Sequence, residues 1–165
     1  MSYNVDTILH KLCENKKWER VMSRLASHPA EAKVRDVNGD CCLHYLADLK
    51  APLPVIIAMI QANPEAAIEQ DCYNHTPIRW ATKREHTDGA WKVIDVLLTS
   101  WPEHVEKQKL ASEMYEGGQL LLHIAAEKGA PIDIVNKLLD IYPGAAEIKV
   151  RTVGWSDDDL ILSPK

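Results

Sequence analysis

The stretch Asn74-His-Thr-Pro-Ile-Arg-Trp-Ala81 joins the signals of a tight turn to those of a helix start. Asparagine tolerates the left-handed backbone that tight turns need, threonine caps helices well, and proline is favoured at the first helical position. After Pro77, the residues Ile78, Ala81 and Thr82 share one helix face because they follow i, i+3, i+4 spacing. The stretch therefore predicts a turn followed by a short helix with a small, apolar packing face.

Two other stretches repeat this layout, Gly39-Asp-Cys-Cys-Leu-His44 and Gly118-Gln-Leu-Leu-Leu-His123. In both of them glycine stands where the first copy has Asn74, and it supplies the same backbone freedom. Small or apolar helix faces follow at the same spacing, formed by Leu43, Leu46 and Ala47 in one copy and by Leu122, Ala125 and Ala126 in the other. The sequence therefore predicts repeated units, each opening with a turn and a short helix.

A second, longer helix in each unit is predicted from the spacing of four prolines. Pro29, Pro64, Pro102 and Pro143 are separated by 35, 38 and 41 residues. Proline ends a helix because it lacks the backbone donor and biases its predecessor away from helical angles. The residues at the same four positions before each of the last three prolines are all apolar, and their i, i+1, i+4, i+5 spacing places them on one helix face. These residues are Val55, Ile56, Met59 and Ile60, then Val93, Ile94, Leu97 and Leu98, then Ile134, Val135, Leu138 and Leu139. Each unit is thus predicted to run turn, short helix, loop, longer helix, proline and extended link.

The first unit differs from the others in the character of its stripe. The same offsets before Pro29 give Arg20, Val21, Arg24 and Leu25, so two of the four positions are charged. A terminal unit of a stack has only one neighbour, and part of its surface must face water. The sequence therefore predicts an amino-terminal cap with helices over residues 6–14 and 18–27.

Composition excludes several classes of protein. The chain has 165 residues and a formal net charge of -5, which does not suit a nucleic-acid or anionic-membrane binder. Its longest apolar run, residues 55–60, is too short to span a bilayer, and the amino terminus lacks a signal-peptide pattern. The four cysteines form no Cys-x-x-Cys pair, which favours a reduced environment. We therefore expect a soluble intracellular protein, located in the cytoplasm.

These features together resemble the ankyrin-repeat family, whose units consist of a turn, the motif Gly-x-Thr-Pro-Leu-His-x-Ala and two helices. Residues 74–81 are most similar to that motif, and residues 118–125 and 39–46 keep parts of it. The resemblance implies an all-α, ankyrin-like solenoid of about four helix-turn-helix repeats with an N-terminal capping repeat. The array would cover residues 1–150, with units at about 5–35, 36–70, 71–114 and 115–150, followed by a tail at 151–165.

The chain departs from the family pattern at its caps and its end. None of the three motif copies has both the threonine and the histidine, so the capping bond between them is expected to be absent. Lys50 and Glu85 stand where the family has glycine after the first helix. The sequence of the tail predicts no further helix pair. We expect either that Trp155 and residues 160–162 fold back over the last repeat or that a partner covers it.

The resemblance also implies a binding surface, because ankyrin repeats bind partners through turn tips and the exposed edge of the first helices. Motif positions place on this surface Val37, Asn38, Asp40, Asp48, Leu49, Cys72, Tyr73, His75, Lys83, Arg84, Glu116, Gln119, Glu127 and Lys128. The best patch is Tyr73 with its neighbours His75, Lys83 and Arg84. Tyrosine and arginine are enriched among residues that dominate protein interfaces.

The leading functional expectation is a non-enzymatic protein-protein interaction module with no cofactor. One alternative is a structural subunit of a larger assembly, which exposed Trp91, Trp101 and Trp155 would favour. Another is a metal-binding or catalytic role for the Cys/His group Cys41, Cys42, His44, Cys72 and His75, although its spacing fits no common zinc pattern.

Overall fold

The fold was analysed in a computed structural model, which describes residues 7–83, 88–101 and 118–148. The described residues form helices and turns, with one isolated antiparallel bridge between Arg35 and Cys41 and no strand. The chain divides into two compact units, Met1–Val105 and Glu106–Lys165. None of the described helices combines the length and hydropathy of a membrane-spanning segment.

The first unit contains six described α-helices in three consecutive pairs. They are α1 (Ile8–Glu14), α2 (Trp18–Ser27), α3 (Cys42–Asp48), α4 (Leu53–Ala62), α5 (Pro77–Thr82) and α6 (Asp88–Thr99). Within a pair the two helices pack together. Between pairs, α3 contacts both α1 and α5, while α4 contacts both α2 and α6. Short helices therefore pack on short helices and long helices on long ones, as the repeated apolar faces predicted.

The apolar stripes form the core of the first unit. All four stripe residues of α4 and all four of α6 are buried, which confirms the faces predicted by counting back from the prolines. On α2, Val21 and Leu25 are buried, whereas Arg20 is exposed and Arg24 half-buried. Removing such aliphatic side chains from water contributes roughly 1.5–3 kcal/mol each. Helix α2 matches its predicted bounds, and α1 begins at Ile8.

The second unit is described by helices α7 (Leu121–Glu127) and α8 (Ile132–Ile141), which pack on each other. On α7 the residues Leu121, Leu122, Ile124 and Ala125 are buried. The stripe of α8 is only partly buried, because Ile134 and Leu138 are enclosed while Val135 and Leu139 are half-exposed. The predicted apolar stripe is therefore buried at two of its four positions. Within its unit, α8 packs mainly on α7 and on the turn that follows it, and these cover one edge of the stripe.

The prolines end the long helices but do not begin extended links. His28, Asn63 and Tyr142, each just before a proline, have φ between -138 and -146 and leave the helix. The chain then forms short 3-10 helices at Pro29–Lys33, Pro64–Ala67 and Pro143–Glu147. The predicted extended backbone begins only after these turns, at Val34 and Ile148, because the φ that the proline ring imposes also suits the first position of a 3-10 turn. Pro102 lies outside the described residues.

Three of the four described short helices, α1, α3 and α7, end in left-handed caps whether or not glycine is present. Lys16, Lys50 and Gly129 have φ of 53, 54 and 68. In each case the next amide reaches back to a carbonyl of the last helical turn, as Ala51 N–H does to Leu46 O at 3.0 Å. This Schellman arrangement satisfies carbonyls that the helix leaves open. The backbone thus keeps the cap at Lys50, where a lysine bears the strain of a conformation that glycine adopts freely. Glu85 lies outside the described residues.

Replacing Lys50 with glycine is expected to stabilise the protein. A left-handed non-glycine residue costs about 1–2 kcal/mol, so Lys50→Gly should raise the free energy of unfolding by about 1 kcal/mol after the entropy of glycine is subtracted. Urea unfolding measures the change. The matched control is Lys11→Gly within helix α1, which should instead cost about 1 kcal/mol. Equal losses in both variants would contradict the strain at Lys50.

Candidate functional site

Two turns of the first unit, at residues 36–40 and 71–75, have the same backbone. In one, Asp36 N–H donates to Asp40 O at 3.0 Å and Gly39 N–H to Asp36 O at 3.1 Å. In the other, Asp71 N–H donates to His75 O and Asn74 N–H to Asp71 O, both at 3.0 Å. Gly39 and Asn74 take the left-handed conformation, with φ of 77 and 61. The turn signals in the sequence therefore predicted these backbones correctly.

An aspartate at the start of each turn holds it together. Asp36 Oδ1 accepts hydrogen bonds from the amides of Asn38 at 2.8 Å and Asp40 at 2.9 Å. Its Oδ2 accepts from the hydroxyl of Tyr45 on α3. The carboxylate therefore fixes both the turn and the ring on the helix that follows, and a hydrogen-bonded anion of this kind is a strong acceptor.

Asp71 repeats the arrangement in the next turn. Its Oδ1 accepts from the amides of Tyr73 and His75, both at 2.8 Å, and its Oδ2 from Trp80 Nε1 at 3.1 Å. Burial opposes ionisation, but the donors at His75, Tyr73 and Trp80 outweigh it and lower the pKa of Asp71. Sequence reasoning missed both aspartates. The signal was present as an aspartate three residues before Gly39 or Asn74 and nine before an aromatic residue.

The two turns contact each other directly. Cys72 N–H donates to Asn38 O at 2.9 Å. A Cβ atom built on Gly39 would lie 3.1 Å from Cys72 N, so the backbones approach closely. Only glycine combines this space with the left-handed backbone at no steric cost. We call one surface of the two turns and of helix α5 with its C-cap the turn edge. It comprises the exposed residues Val37, Asn38, Cys72, Tyr73 and Lys83 and the half-buried His75 and Trp80.

Gly39→Ala should separate the two turns. The added methyl strains the backbone and crowds Cys72 N, so we expect a loss of stability on the order of 2 kcal/mol and weaker hydrogen-exchange protection at the Cys72 amide. Gly118→Ala is the matched control, because its φ is 74 but nothing lies within 4 Å of the added Cβ. The control should lose about 1 kcal/mol from backbone strain and keep the Cys72 amide protected. If both variants protect that amide equally, the close approach does not matter.

Buried histidines connect helices α1 and α3 to the turn that follows each of them. His44 Nε2 donates to His75 O at 2.9 Å, and its Nδ1 accepts from Cys41 N–H at 3.1 Å. His10 lies the same way between Thr7 N–H and Asp40 O, at 3.4 and 3.3 Å. A backbone donor at one ring nitrogen and a carbonyl at the other require the neutral Nε2–H form.

The expected loss of the threonine–histidine cap was wrong in the motif copy at residues 39–46. There Cys41 Sγ lies 3.1 Å from His44 Nδ1 and takes the position of the threonine oxygen. A further copy, outside the three recognised from the sequence, carries the threonine–histidine pair at Thr7 and His10, whose side chains meet at 2.8 Å. At Leu120 the backbone amide alone donates to His123 Nδ1 at 3.0 Å.

His44→Ala should destabilise the first unit strongly. The change leaves Cys41 N–H and His75 O without their partner and opens a cavity, which together cost about 2–4 kcal/mol. Burial lowers the pKa of His44 below its ordinary value of 6.5, so its contribution is complete above pH 6.5 and is lost as the pH falls below that value. Urea unfolding at pH 7 and pH 5 measures this effect. The difference in the free energy of unfolding between wild type and variant should be smaller at pH 5.

The control for this experiment is His28→Ala. His28 is exposed and its ring bonds only the neighbouring Ser27 hydroxyl, so its removal should change stability by less than about 0.5 kcal/mol. A similar loss in both variants would mean that the buried histidine does not link the units.

The predicted patch is assembled on the turn edge, apart from Arg84, which lies outside the described residues. Tyr73 is 71% exposed and stacks on His75, with ring centroids 6.0 Å apart and planes 29° from parallel. Lys83 is also exposed, and its Nζ lies 4.5 Å from the centroid of the Trp80 ring. The edge therefore presents aromatic area that its own neighbours hold in place.

The remaining predicted contact residues differ in how accessible they are. Asn38 is exposed, and Asp48 and Leu49 are half-buried. Asp40 was predicted wrongly, since it is only 4% exposed: its turn directs the side chain inward, towards His44. In the second unit, half-buried Gln119 bonds exposed Glu127 at 2.8 Å, and Lys128 is exposed. Glu116 lies outside the described residues.

The cysteines and histidines do not form a reactive centre in the described residues. Cys41 and Cys42 are buried, and Cys72 is exposed. Burial raises the pKa of Cys41 to about 12, so its thiol is not activated as a nucleophile. Cys42 also has a raised pKa, because its thiol pairs with that of Cys13 and is buried. No group of three or more potential metal ligands is clustered in residues 7–83, 88–101 and 118–148.

A polar hollow lies beside the 71–75 turn, and two of the charged residues that line it are hydrogen-bonded within the protein. Arg35, which lines it, donates to Glu69 Oε2 at 3.3 Å and to Gln70 O at 3.2 Å. Asp71, which also lines it, is engaged by the turn amides. These contacts tie Arg35, which precedes the 36–40 turn, to the segment just before the 71–75 turn.

No protein-family model matches this chain, and none of the curated proteins is significantly similar to it. Its function is therefore inferred from the residues of the turn edge themselves.

Proposed function

We propose that the chain is a non-enzymatic protein-binding module with divergent ankyrin-like repeats, which captures a partner protein on its turn edge. The repeated pairing of short and long helices in the first unit supports the repeat arrangement. So do the matching turns and the histidines that connect one repeat to the next turn, at His10 and His44. Stacked repeats of this kind offer an extended surface whose side chains can vary without changing the scaffold.

The observation that carries the proposal is the exposure of Tyr73 on a rigid turn. Its ring is 71% exposed, although its own backbone amide is bonded to Asp71 Oδ1 at 2.8 Å. Tyrosine gains much contact area for few rotatable bonds, and a turn that is already ordered loses little entropy on docking. Large exposed aromatic groups on a fixed backbone are typical of interface anchors.

Lys83 and Trp80 extend the anchor along helix α5. The Lys83 ammonium lies over the Trp80 ring, and Trp80 is itself held by Asp71 at 3.1 Å. A partner that covers Tyr73 would therefore also meet a cation in a defined place. Such a charge at the border of an interface contributes to partner selection and association rate more than to affinity.

The alternative of a structural subunit receives no support from the described tryptophans. Trp91 and Trp101 are 4% and 3% exposed, so neither offers an apolar docking surface. Trp155 lies outside the described residues.

Tyr73→Ala is expected to reduce partner affinity by about thirtyfold or more, as loss of an interface anchor costs at least roughly 2 kcal/mol. The double variant Tyr73→Ala, Lys83→Ala should weaken binding further. Partners captured from lysate by the wild type would be identified by mass spectrometry, and their affinities for purified variants measured by calorimetry. Both residues are exposed, so thermal stability should change by less than about 0.5 kcal/mol.

The matched control is Ile132→Ala. Ile132 is 68% exposed and apolar but belongs to the second unit, so its loss removes similar surface from another place. A partner that binds the Tyr73 variants as tightly as the wild type, or that is lost only with the Ile132 variant, would exclude the turn edge as the binding site.

A further inference from the structure

Asp40 occupies an unusual position for a carboxyl group. It is 4% exposed, and its Oδ1 is buried with no hydrogen-bond donor among the described residues. His44 Nδ1 lies 3.9 Å away, beyond hydrogen-bond distance, and carries no proton because it accepts from Cys41 N–H. A buried carboxylate without a donor is costly, whereas the neutral acid is tolerated.

The charged groups around Asp40 make its ionisation still less favourable. Asp36 in the same turn and Asp71 in the next turn both repel a negative charge there. Of the described cations, Lys83 at the end of α5 opposes this effect. Burial together with these two carboxylates raises the pKa of Asp40 to about 7.

Two further elements face Asp40 and leave its charge unbalanced. Tyr45 on α3 has a raised pKa because it is buried and bonded to Asp36, so it remains a neutral phenol. His10 on α1 donates to the Asp40 backbone carbonyl at 3.3 Å and is neutral in that arrangement. An ionised Asp40 would therefore put a third carboxylate against two that are already bonded in adjacent turns.

We propose that Asp40 is a proton switch on the contact between the 36–40 and 71–75 turns. As a neutral acid it lets the turns stay joined through the bond from Cys72 N–H to Asn38 O. When Asp40 releases its proton to solvent, its carboxylate repels Asp71 across that contact and loosens the turn edge. The inference is independent of whether the edge binds a partner.

The direction of the effect follows from proton linkage. Asp40 binds its proton more tightly in the joined turns than in the open ones, where its pKa returns towards 3.8. Its stabilising contribution is therefore greatest at low pH, decreases as the pH rises, and reaches its minimum above pH 7. His44 has the opposite pH dependence, because its contribution to the stability of the protein is lost as the pH falls below 6.5.

Carboxyl carbon NMR of the full chain gives the first test, because it follows Asp40 in the native protein without a mutation. Its titration midpoint should lie near 7, and assignment by comparison with Asp40→Asn identifies the signal. A midpoint below 5 would overturn the proposal.

Hydrogen exchange at the Cys72 amide gives the second test. After correction for intrinsic exchange, opening in the wild type should increase about tenfold between pH 6 and pH 8. Asp40→Asn should change less than about twofold over the same range, and comparison with the wild type cancels the effect of His44. Asp140→Asn, which removes an exposed carboxylate of the second unit, should behave as the wild type does. The same pH dependence in Asp40→Asn and wild type would refute the switch, whether or not Tyr73 proves to bind a partner.

Discussion

The structure of the first unit depends on neutral imidazole rings that connect consecutive helix pairs. His44 accepts the first free amide of its own helix at one nitrogen and donates to the next turn at the other. The ring thus satisfies two buried backbone groups at once, and it can do so only without a positive charge. His10 makes the same two kinds of hydrogen bond one helix pair earlier. The residue that caps a short helix therefore also joins that helix to the next turn.

The turn aspartates connect this scaffold to the surface. Asp36 and Asp71 use one oxygen to close a turn and the other to orient an aromatic ring on the next helix. The backbone of exposed Tyr73 is therefore held by a hydrogen bond to the buried carboxylate of Asp71, which fixes the position of the ring. The same turn buries Asp40 Oδ1 without a donor among the described residues, so the rigidity of the edge and its proposed sensitivity to protons have one origin.

The helix faces could be predicted from the periodic spacing of hydrophobic residues in the sequence. Individual side-chain contacts could not. The stripes ahead of Pro64 and Pro102 predicted buried helix faces because hydrophobic spacing reports directly on which side is enclosed. The caps were misjudged because cysteine at position 41 and a lysine at position 50 can adopt the geometry of threonine and glycine when tertiary contacts require it. The inward orientation of Asp40 could not be read from a motif, since it depends on a turn in which the Asp40 amide donates to the carboxylate of Asp36.

The uneven burial of the thiols makes the natural sequence convenient for spectroscopy. Cys13, Cys41 and Cys42 are enclosed, while Cys72 stands in solvent next to Tyr73. A maleimide dye should therefore attach at a single place without any engineered cysteine. Its fluorescence would then report events at the tip of the turn in a polypeptide without any substitution.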